Sequence, residues 1–202
     1  MLIAFNKPFG VISKFSPEPG KRTLADYIDV PRVYPAGRLD TDSEGLLLLT
    51  NDGDWADRVL HPRNGVEREY ALGLDRPLER DQVDALQKGI RLEEGVATLG
   101  GPRPMTSVEV QRLVGLMRPP PRDLVWYRAT LTQGWKRQLR RMFGAVGAPV
   151  DRLVRVRIGP VRVDGLRSGS VRPLKAPEVR GLGGGGGRSR QSGQSGERKN
   201  DG

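Results

Sequence analysis

The 202-residue sequence contains no cysteine and a single histidine, His61. It therefore has no disulfide framework, no thiolate metal ligand and no cysteine nucleophile, and one histidine cannot build a multi-histidine metal site. It also lacks an N-terminal apolar segment of the secretory kind and any apolar run long enough to span a membrane. These absences favour a cytoplasmic protein.

Positive charge is what the sequence has in excess. The chain has 34 Lys and Arg against 24 Asp and Glu, a formal net charge of +10, and only four basic and two acidic residues follow residue 183. A folded domain this basic is typical of a protein that binds a polyanion, although a generally basic soluble protein has the same charge. Residues 182–202 are rich in Gly, Ser and Arg, which predicts a disordered tail.

Alternating and continuous apolar patterns predict many strands with a few helices between them. Strands are expected over 45–50, 68–74, 90–98, 107–113, 124–132 and 150–163, and helices after Asp52, over 78–89 and over 138–146. This mixture predicts an α+β fold with a mixed, largely antiparallel sheet. We expect one domain over residues 1–181, in two lobes of about 1–64 and 65–181.

Acidic residues cluster in the segment Asp40-Thr41-Asp42-Ser43-Glu44-Gly45. The spacing matches the opening of a calcium-binding loop, but the twelfth position is Asn51 rather than Glu, and leucines fill the second half. A magnesium site for phosphoryl transfer or RNA cleavage is a second alternative. For Asp42, Ser43 and Glu44 we favour a solvated turn between two strands.

Asp40 differs from these neighbours because it lies two residues after Arg38 in a segment that is expected to be extended. Both side chains then leave the same face of the chain, and an adjacent guanidinium keeps a carboxylate ionised. A nucleophile or general base needs that property, but a structural salt bridge would look the same in the sequence. From the residues alone, a catalytic role and a structural role of Asp40 are equally well supported.

A second charged segment, Gly134-Trp135-Lys136-Arg137-Gln138-Leu139-Arg140-Arg141, combines basic residues with an aromatic one. On a helix, Arg137, Arg140 and Arg141 would share one face, while the apolar residues anchor another. A glycine-led helix start with this charge suits an anionic partner. A solvated basic face is the alternative, and the charge beside Trp135 favours RNA.

Four separated motifs occur in a characteristic order: Asn6-Lys7-Pro8-x-Gly10, GRLDTDSEGLLLLTNDG at 37–53, REYAL at 68–72 and GWKRQLRRMFGAVGAPVDRLVRVRIGP at 134–160. Together they resemble the ribosomal RNA pseudouridine synthases of the RsuA type over roughly residues 1–175. Many members carry an RNA-binding domain of the S4 type before the first motif, which begins here at residue 6, so we expect that domain to be absent. The resemblance implies isomerisation of a specific uridine to pseudouridine in ribosomal RNA, most closely that of the large subunit.

The resemblance also implies roles for individual residues in a central catalytic cleft between the two lobes. The catalytic carboxylate, which reacts with a uridine flipped out of the RNA, falls on Asp40. The tyrosine that stacks on the target base and takes a proton falls on Tyr70, and the arginine that pairs with the catalytic carboxylate falls on Arg140. Arg38 matches the residue that helps to displace the base, and Leu153 the apolar residue that closes the base pocket.

Further contacts to the RNA are expected from Lys7, Lys136, Arg137 and Arg141. The family needs no metal and no cofactor, which agrees with the missing cysteine, and we expect a monomer that binds structured ribosomal RNA. A non-catalytic ribosomal RNA-binding or ribosome-assembly factor is the alternative, because it would share the basic surface. His61 follows a predicted helix and is expected to act as a cap or to lie on the surface.

Overall fold

The computed structural model describes residues 1–183. The predicted disordered tail lies outside the described residues except for its first two positions. Of these, Leu182 is buried and packs in a hydrophobic core, so the prediction of a tail that begins at residue 182 is wrong for Leu182. None of the helices within residues 1–183 is long and apolar enough to cross a membrane.

The chain forms strands and helices, with two short 3₁₀ turns at Leu24–Asp26 and Pro62–Asn64. The strands are β1 (Leu2–Lys7), β2 (Val11–Ile12), β3 (Arg22–Thr23), β4 (Tyr34–Ala36), β5 (Ser43–Thr50), β6 (Arg68–Leu74), β7 (Ile90–Leu92), β8 (Gly95–Ala97), β9 (Gly100–Pro104), β10 (Val125–Leu131), β11 (Arg152–Ile158), β12 (Val161–Arg162) and β13 (Val171–Pro173). The helices are α1 (Gly53–Leu60), α2 (Arg80–Lys88), α3 (Ser107–Leu116), α4 (Gln138–Ala145) and α5 (Ala176–Gly181).

Nine strands build one continuous sheet, whose order is β13-β1-β5-β11-β6-β10-β9, with β4 attached to β5 and β12 to β11. Within the described part of the chain, β5 and β11 form the one parallel pair of this sheet, and its other pairs are antiparallel. The predicted α+β fold with a mixed, largely antiparallel sheet is therefore confirmed. The late strand β13 pairs with β1, so residues 171–173 lie beside the first strand of the sheet.

The helix predictions after Asp52 and over 138–146 are confirmed, and Asp52 caps α1 by accepting a hydrogen bond from the Trp55 backbone nitrogen at 2.9 Å. The strand predicted over 107–113 is wrong, because this segment lies in α3. Its start is fixed by a capping box, in which the Thr106 nitrogen donates to the Glu109 carboxylate and the Glu109 nitrogen donates to the Thr106 hydroxyl. That signal outweighs the alternation that suggested a strand.

The two faces of the sheet are covered differently. Because side chains alternate along a strand, Leu46 and Leu48 of β5 enter a core on one face, where α1 and α3 pack. Leu47 and Leu49 enter a core on the other face, which is formed mainly by residues 1–49. A separate core on that second face is formed by β6, β10, α2 and α4, and it contains Tyr70 and Leu153.

Candidate active site

A cavity of about 640 Å³ lies on the second face of the sheet, and residues of both cores line it. Its lining comes from residues 37–40 with Leu60 and Pro62, from residues 131–139, and from side chains of the sheet itself. The sheet residues are Ser43, Arg68, Tyr70, Leu153 and Arg155. We call these sheet residues the floor of the cavity.

Six of the residues that the sequence singled out line this cavity, namely Arg38, Asp40, Tyr70, Lys136, Arg137 and Leu153. They come from three motifs that lie far apart in the sequence, and the sheet brings them together. Lys7, Arg140 and Arg141 are not among the lining residues. The structure therefore divides the expected site residues into a group on the cavity and a group behind or beside it.

The register of three strands sets the floor. Leu153 of β11 pairs with Ser43 of β5, and Arg155, the next residue on that face, pairs with Gly45 on one side and Tyr70 on the other. Gly45 has a φ of +101°, and a Cβ there would meet the Arg155 backbone oxygen and lie 2.8 Å from its nitrogen. Only glycine allows β5 and β11 to approach this closely, so Gly45 fixes the geometry of the floor.

The backbone before Asp40 is held from both sides. The Ser13 hydroxyl donates to the Leu39 oxygen at 2.7 Å and accepts from the Leu39 nitrogen at 3.2 Å. The Gly10 nitrogen donates to the Thr41 oxygen at 2.8 Å, which fixes the chain after Asp40. Ser13 is thus a positioning residue that sequence reasoning missed, because nothing in its local pattern indicates a partner 26 residues away.

The Asp40 side chain is 42% exposed, and the guanidinium of Arg137 lies 3.6 Å from it. Strand β4 ends at Ala36, so the alternation that predicted a shared face for Arg38 and Asp40 does not apply to this irregular segment. Arg38 is exposed and forms no ion pair with any acid within residues 1–183. Asp40 is therefore accessible from the cavity, with Arg137 as its nearest positive neighbour.

Asp42 binds two arginines of the fourth motif, at 134–160. Arg137 donates to both of its carboxylate oxygens at 2.9 and 2.8 Å, and the Arg140 Nε lies 3.3 Å from one of them. Arg140 also donates to the backbone oxygens of Asp42 at 2.7 Å and Val150 at 2.6 Å. The hydrogen bonds from Arg137 lower the pKa of Asp42, and burial lowers the pKa of Arg140. In this structure Arg140 is therefore bonded to Asp42, whereas the sequence paired it with Asp40.

The prediction that Arg137, Arg140 and Arg141 share one helix face is wrong. Arg137 precedes α4 and has a left-handed backbone with a φ of +52°. Helix α4 begins at Gln138, whose buried side chain donates to the Gln133 side-chain oxygen at 2.8 Å. Arg141 turns away to the Glu94 carboxylate, to which it donates at 2.9 Å. The helical period thus does not extend back to Arg137.

Lys7 is fully buried, and its Nζ donates to the backbone oxygens of Pro8 at 3.0 Å and Val11 at 2.6 Å. Burial lowers the pKa of Lys7 to about 8, although Glu44 and Asp42 act in the opposite direction. A direct contact between Lys7 and RNA would require this side chain to leave its pocket. Its position is that of a buried charge behind the cavity.

Ser43 and Glu44 are buried at the start of β5, so the prediction that they form a solvated turn is wrong for both. Glu44 binds Arg152 through two hydrogen bonds of 2.7 and 3.0 Å, and burial raises the pKa of this carboxyl group. Because Glu44 turns to Arg152 and Asp42 to Arg137, the acids do not converge. Among residues 1–183 no three His, Asp or Glu side chains lie together in a way that could hold a metal ion.

His61 ends α1 and begins the short turn at Pro62–Asn64. Its Nδ1 accepts a hydrogen bond from the Arg63 backbone nitrogen at 3.2 Å, which caps this turn. The prediction that His61 acts as a cap is confirmed. Leu60 and Pro62, the neighbours of His61 in the sequence, both line the cavity.

Comparisons with known proteins agree with this geometry. Residues 1–145 match the family described as RNA pseudouridylate synthase. The chain is 40% identical over 192 residues to ribosomal large subunit pseudouridine synthase E of Xanthomonas campestris pv. campestris, a match that covers 89% of this chain and 98% of that protein. It is 35% identical over 178 residues to ribosomal large subunit pseudouridine synthase B of Bacillus subtilis, covering 87% of this chain and 68% of that protein.

A crystal structure of a pseudouridylate synthase superposes with a TM-score of 0.72 at 30% identity, over 90% of this chain and 73% of that one. The fold is thus that of a pseudouridylate synthase, an isomerase. The chain belongs to the RNA pseudouridylate synthase family.

Proposed function

We propose that this protein converts a specific uridine of large-subunit ribosomal RNA to pseudouridine. The observation that carries the proposal is the cavity itself, which joins the accessible carboxylate of Asp40 to the Tyr70 ring and the apolar Leu153. Membership of the family and the similarity to two synthases named for the ribosomal large subunit support the choice of substrate.

Asp40 acts as the catalytic carboxylate on a uridine that has been flipped into the cavity. In the overall reaction the N1–C1′ bond breaks and a C5–C1′ bond forms, while the proton on C5 leaves and N1 takes up a proton. Tyr70 stacks on the base, and its position on the floor beside Leu153 and Arg155 supports that role. The hydroxyl of Tyr70 is the group we assign to proton removal.

Arg137 and Arg140 of the fourth motif support Asp40 in two ways. Arg137 lies 3.6 Å from Asp40 and is the guanidinium that stabilises its charge. Arg140 acts through Asp42, whose carboxylate and backbone oxygen it contacts, and so fixes the segment that carries Asp40. Leu153 closes the base pocket from the floor.

RNA contacts fall to the cations that the surface exposes. Arg38 and Lys136 are exposed and line the cavity, so they can neutralise phosphates beside the flipped nucleotide. Extruding a base costs a few kcal/mol, and such contacts together with stacking offset that cost. Lys7 is assigned a purely internal role, and Arg141, which pairs with Glu94, an RNA contact beside the cavity.

We further propose that the protein is a cytoplasmic monomer. Few large apolar side chains are exposed among the described residues, namely Met1, Tyr34, Leu60, Val96, Val108 and Val171, and a set this small supports a monomer. The proposed catalytic unit comprises two lobes and extends to Leu182, which packs in the hydrophobic core.

The test is a pseudouridine map of ribosomal RNA from cells that lack the gene, before and after treatment with the purified protein. We expect one or a few unmodified uridines in the large-subunit RNA, and their conversion by the protein alone. Binding of the RNA without the appearance of pseudouridine would instead support a non-catalytic ribosome-assembly factor.

A further inference from the structure

Arg155 is a buried cation on the floor of the cavity, and its side chain is not fully paired. The residue is 5% exposed and lies between Gly45 and Tyr70 in the sheet. Its Nε donates to the Leu46 backbone oxygen at 2.8 Å. Its Nη2 is buried and has no hydrogen-bond partner among residues 1–183.

The surroundings of Arg155 are positive. Burial is the main cause that lowers the pKa of Lys7 and of Arg68, and the positive charge of Arg155 lowers both further. The acids nearby are already bound, since Glu44 pairs with Arg152 and Asp42 with Arg137. No carboxylate of the described chain lies within 4.0 Å of the Arg155 guanidinium, whereas Arg137 on the same cavity pairs with Asp40 and Asp42.

An unpaired charged donor in a buried site is costly, so a ligand that brings an acceptor to it gains affinity. The bond from Nε to Leu46 and the close approach at Gly45 fix the guanidinium, so the direction of its free N–H groups is set before a ligand arrives. Arg155 is therefore a preorganised donor at the floor.

We propose that Arg155 recognises the target base, by donating a hydrogen bond from its guanidinium to a carbonyl oxygen of the flipped uracil. The inference rests on the proposed function, because it uses the base position that Tyr70 and Leu153 define there. Those two residues flank Arg155 on the floor, so the base and not the backbone of the RNA lies over it. Uracil offers two acceptors, O2 and O4, whereas phosphates fit the exposed Arg38 and Lys136.

The test uses an RNA hairpin that carries the mapped target as uridine, 2-thiouridine or 4-thiouridine. Sulfur is a weaker acceptor than oxygen, so we expect one of the two thio substitutions to lower kcat/KM of the wild type about 10-fold or more. Arg155→Met should lower kcat/KM on uridine about 10- to 100-fold. In Arg155→Met the same thio substitution should lower kcat/KM less than about 3-fold, because the variant no longer has the donor whose hydrogen bond the sulfur weakens.

Arg157→Met is the matched control, since Arg157 lies on the same strand and pairs with Glu69 at 2.9 Å away from the cavity. It should keep the thio effect of the wild type. A thio penalty that is equal in the wild type and in Arg155→Met overturns the inference, as does a wild type that is indifferent to both thio bases. If Arg155→Met fails to fold, Arg155→Lys and the wild-type thio effects still decide the matter. Inactivity of the wild type on plain uridine would instead refute the proposed function.

Discussion

Neutralising Asp42 should disturb catalysis far more than stability. In Asp42→Asn, Arg137 loses the charged partner that it binds at 2.9 and 2.8 Å. The next carboxylate is Asp40, which already lies 3.6 Å from the same guanidinium. Arg137 should therefore move onto Asp40 and hold it in a tighter pair, which makes that carboxylate less available to the substrate. Arg140 keeps its bonds to the backbone oxygens of Asp42 and Val150.

The magnitudes follow from exposure and geometry. The side chains of Asp42 and Arg137 are 38% and 39% exposed, so solvent screens the pair and its loss should cost only about 1 kcal/mol of unfolding free energy. A misplacement of about 1 Å at a reacting group can cost about 100-fold, so we expect kcat to fall about 10- to 100-fold with little change in KM. Glu94→Gln is the matched control, because Glu94 binds Arg141 of α4 with similar exposure, 35% and 32%, beside the cavity.

The assay is single-turnover pseudouridine formation together with urea unfolding of both variants. The pKa of Asp42 lies below its usual value, so the pair contributes stability at neutral pH and loses it as the pH falls through the folded-state pKa. The stability difference between the wild type and Asp42→Asn should accordingly vanish in strong acid. Equal rate losses in Asp42→Asn and Glu94→Gln, or an unchanged rate in the former, would refute the reasoning.

Three further predictions concern the scaffold of the site. Glu44→Ala should lower the free energy of unfolding, measured in urea, by about 3 kcal/mol, because it leaves the mostly buried Arg152 without its carboxylate. A Glu44→Leu/Arg152→Met double variant should lose less, and a larger loss in the double variant than in Glu44→Ala would contradict the prediction. Gly45→Ala should lower the free energy of unfolding by about 2 kcal/mol or more, because the φ of Gly45 is +101° and a Cβ there meets the neighbouring strand. Gly115→Ala is the control and should be neutral or stabilising, because a Cβ at Gly115 meets open space; equal losses in the two variants would contradict the prediction. The pKa of Lys7 is about 8, below the ordinary 10.5, so between these pH values the unfolded chain binds more protons than the folded one and the free energy of unfolding should rise with pH. Lys7→Met should lack this rise, and parallel curves of unfolding free energy against pH for the two proteins would contradict the prediction.

Much of the fold could be predicted because its signals are local. The leucines of β5 are apolar on both faces, and the structure buries both faces of this strand. Asp52 caps α1 as the sequence indicates. Helix α3 was misjudged because its apolar spacing mimics alternation, although Thr106 and Glu109 carry the capping signal that distinguishes the two.

The sequence predicted that Asp40, Tyr70 and Leu153 lie on one cavity. The prediction came from the order of the motifs and their resemblance to a known family. The ion-pair partners of Asp40 and Asp42 could not be predicted from the sequence. Asp40 and Asp42 are two residues apart with the same chemistry, and only the tertiary placement of α4 beside the segment before β5 decides that Arg140 contacts Asp42. Burial of Lys7 likewise depends on strands that are distant in the sequence.

The most direct test of the account replaces the carboxylate at its centre. Asp40→Asn should abolish pseudouridine formation on ribosomal RNA while the unfolding free energy and the affinity for RNA stay nearly those of the wild type. Asp151→Asn is the matched control, because its side chain is 37% exposed against 42% for Asp40, and its Arg122 pair lies outside the cavity. Asp151→Asn should retain activity. Conversion of uridine by Asp40→Asn at the wild-type rate would contradict the central claim.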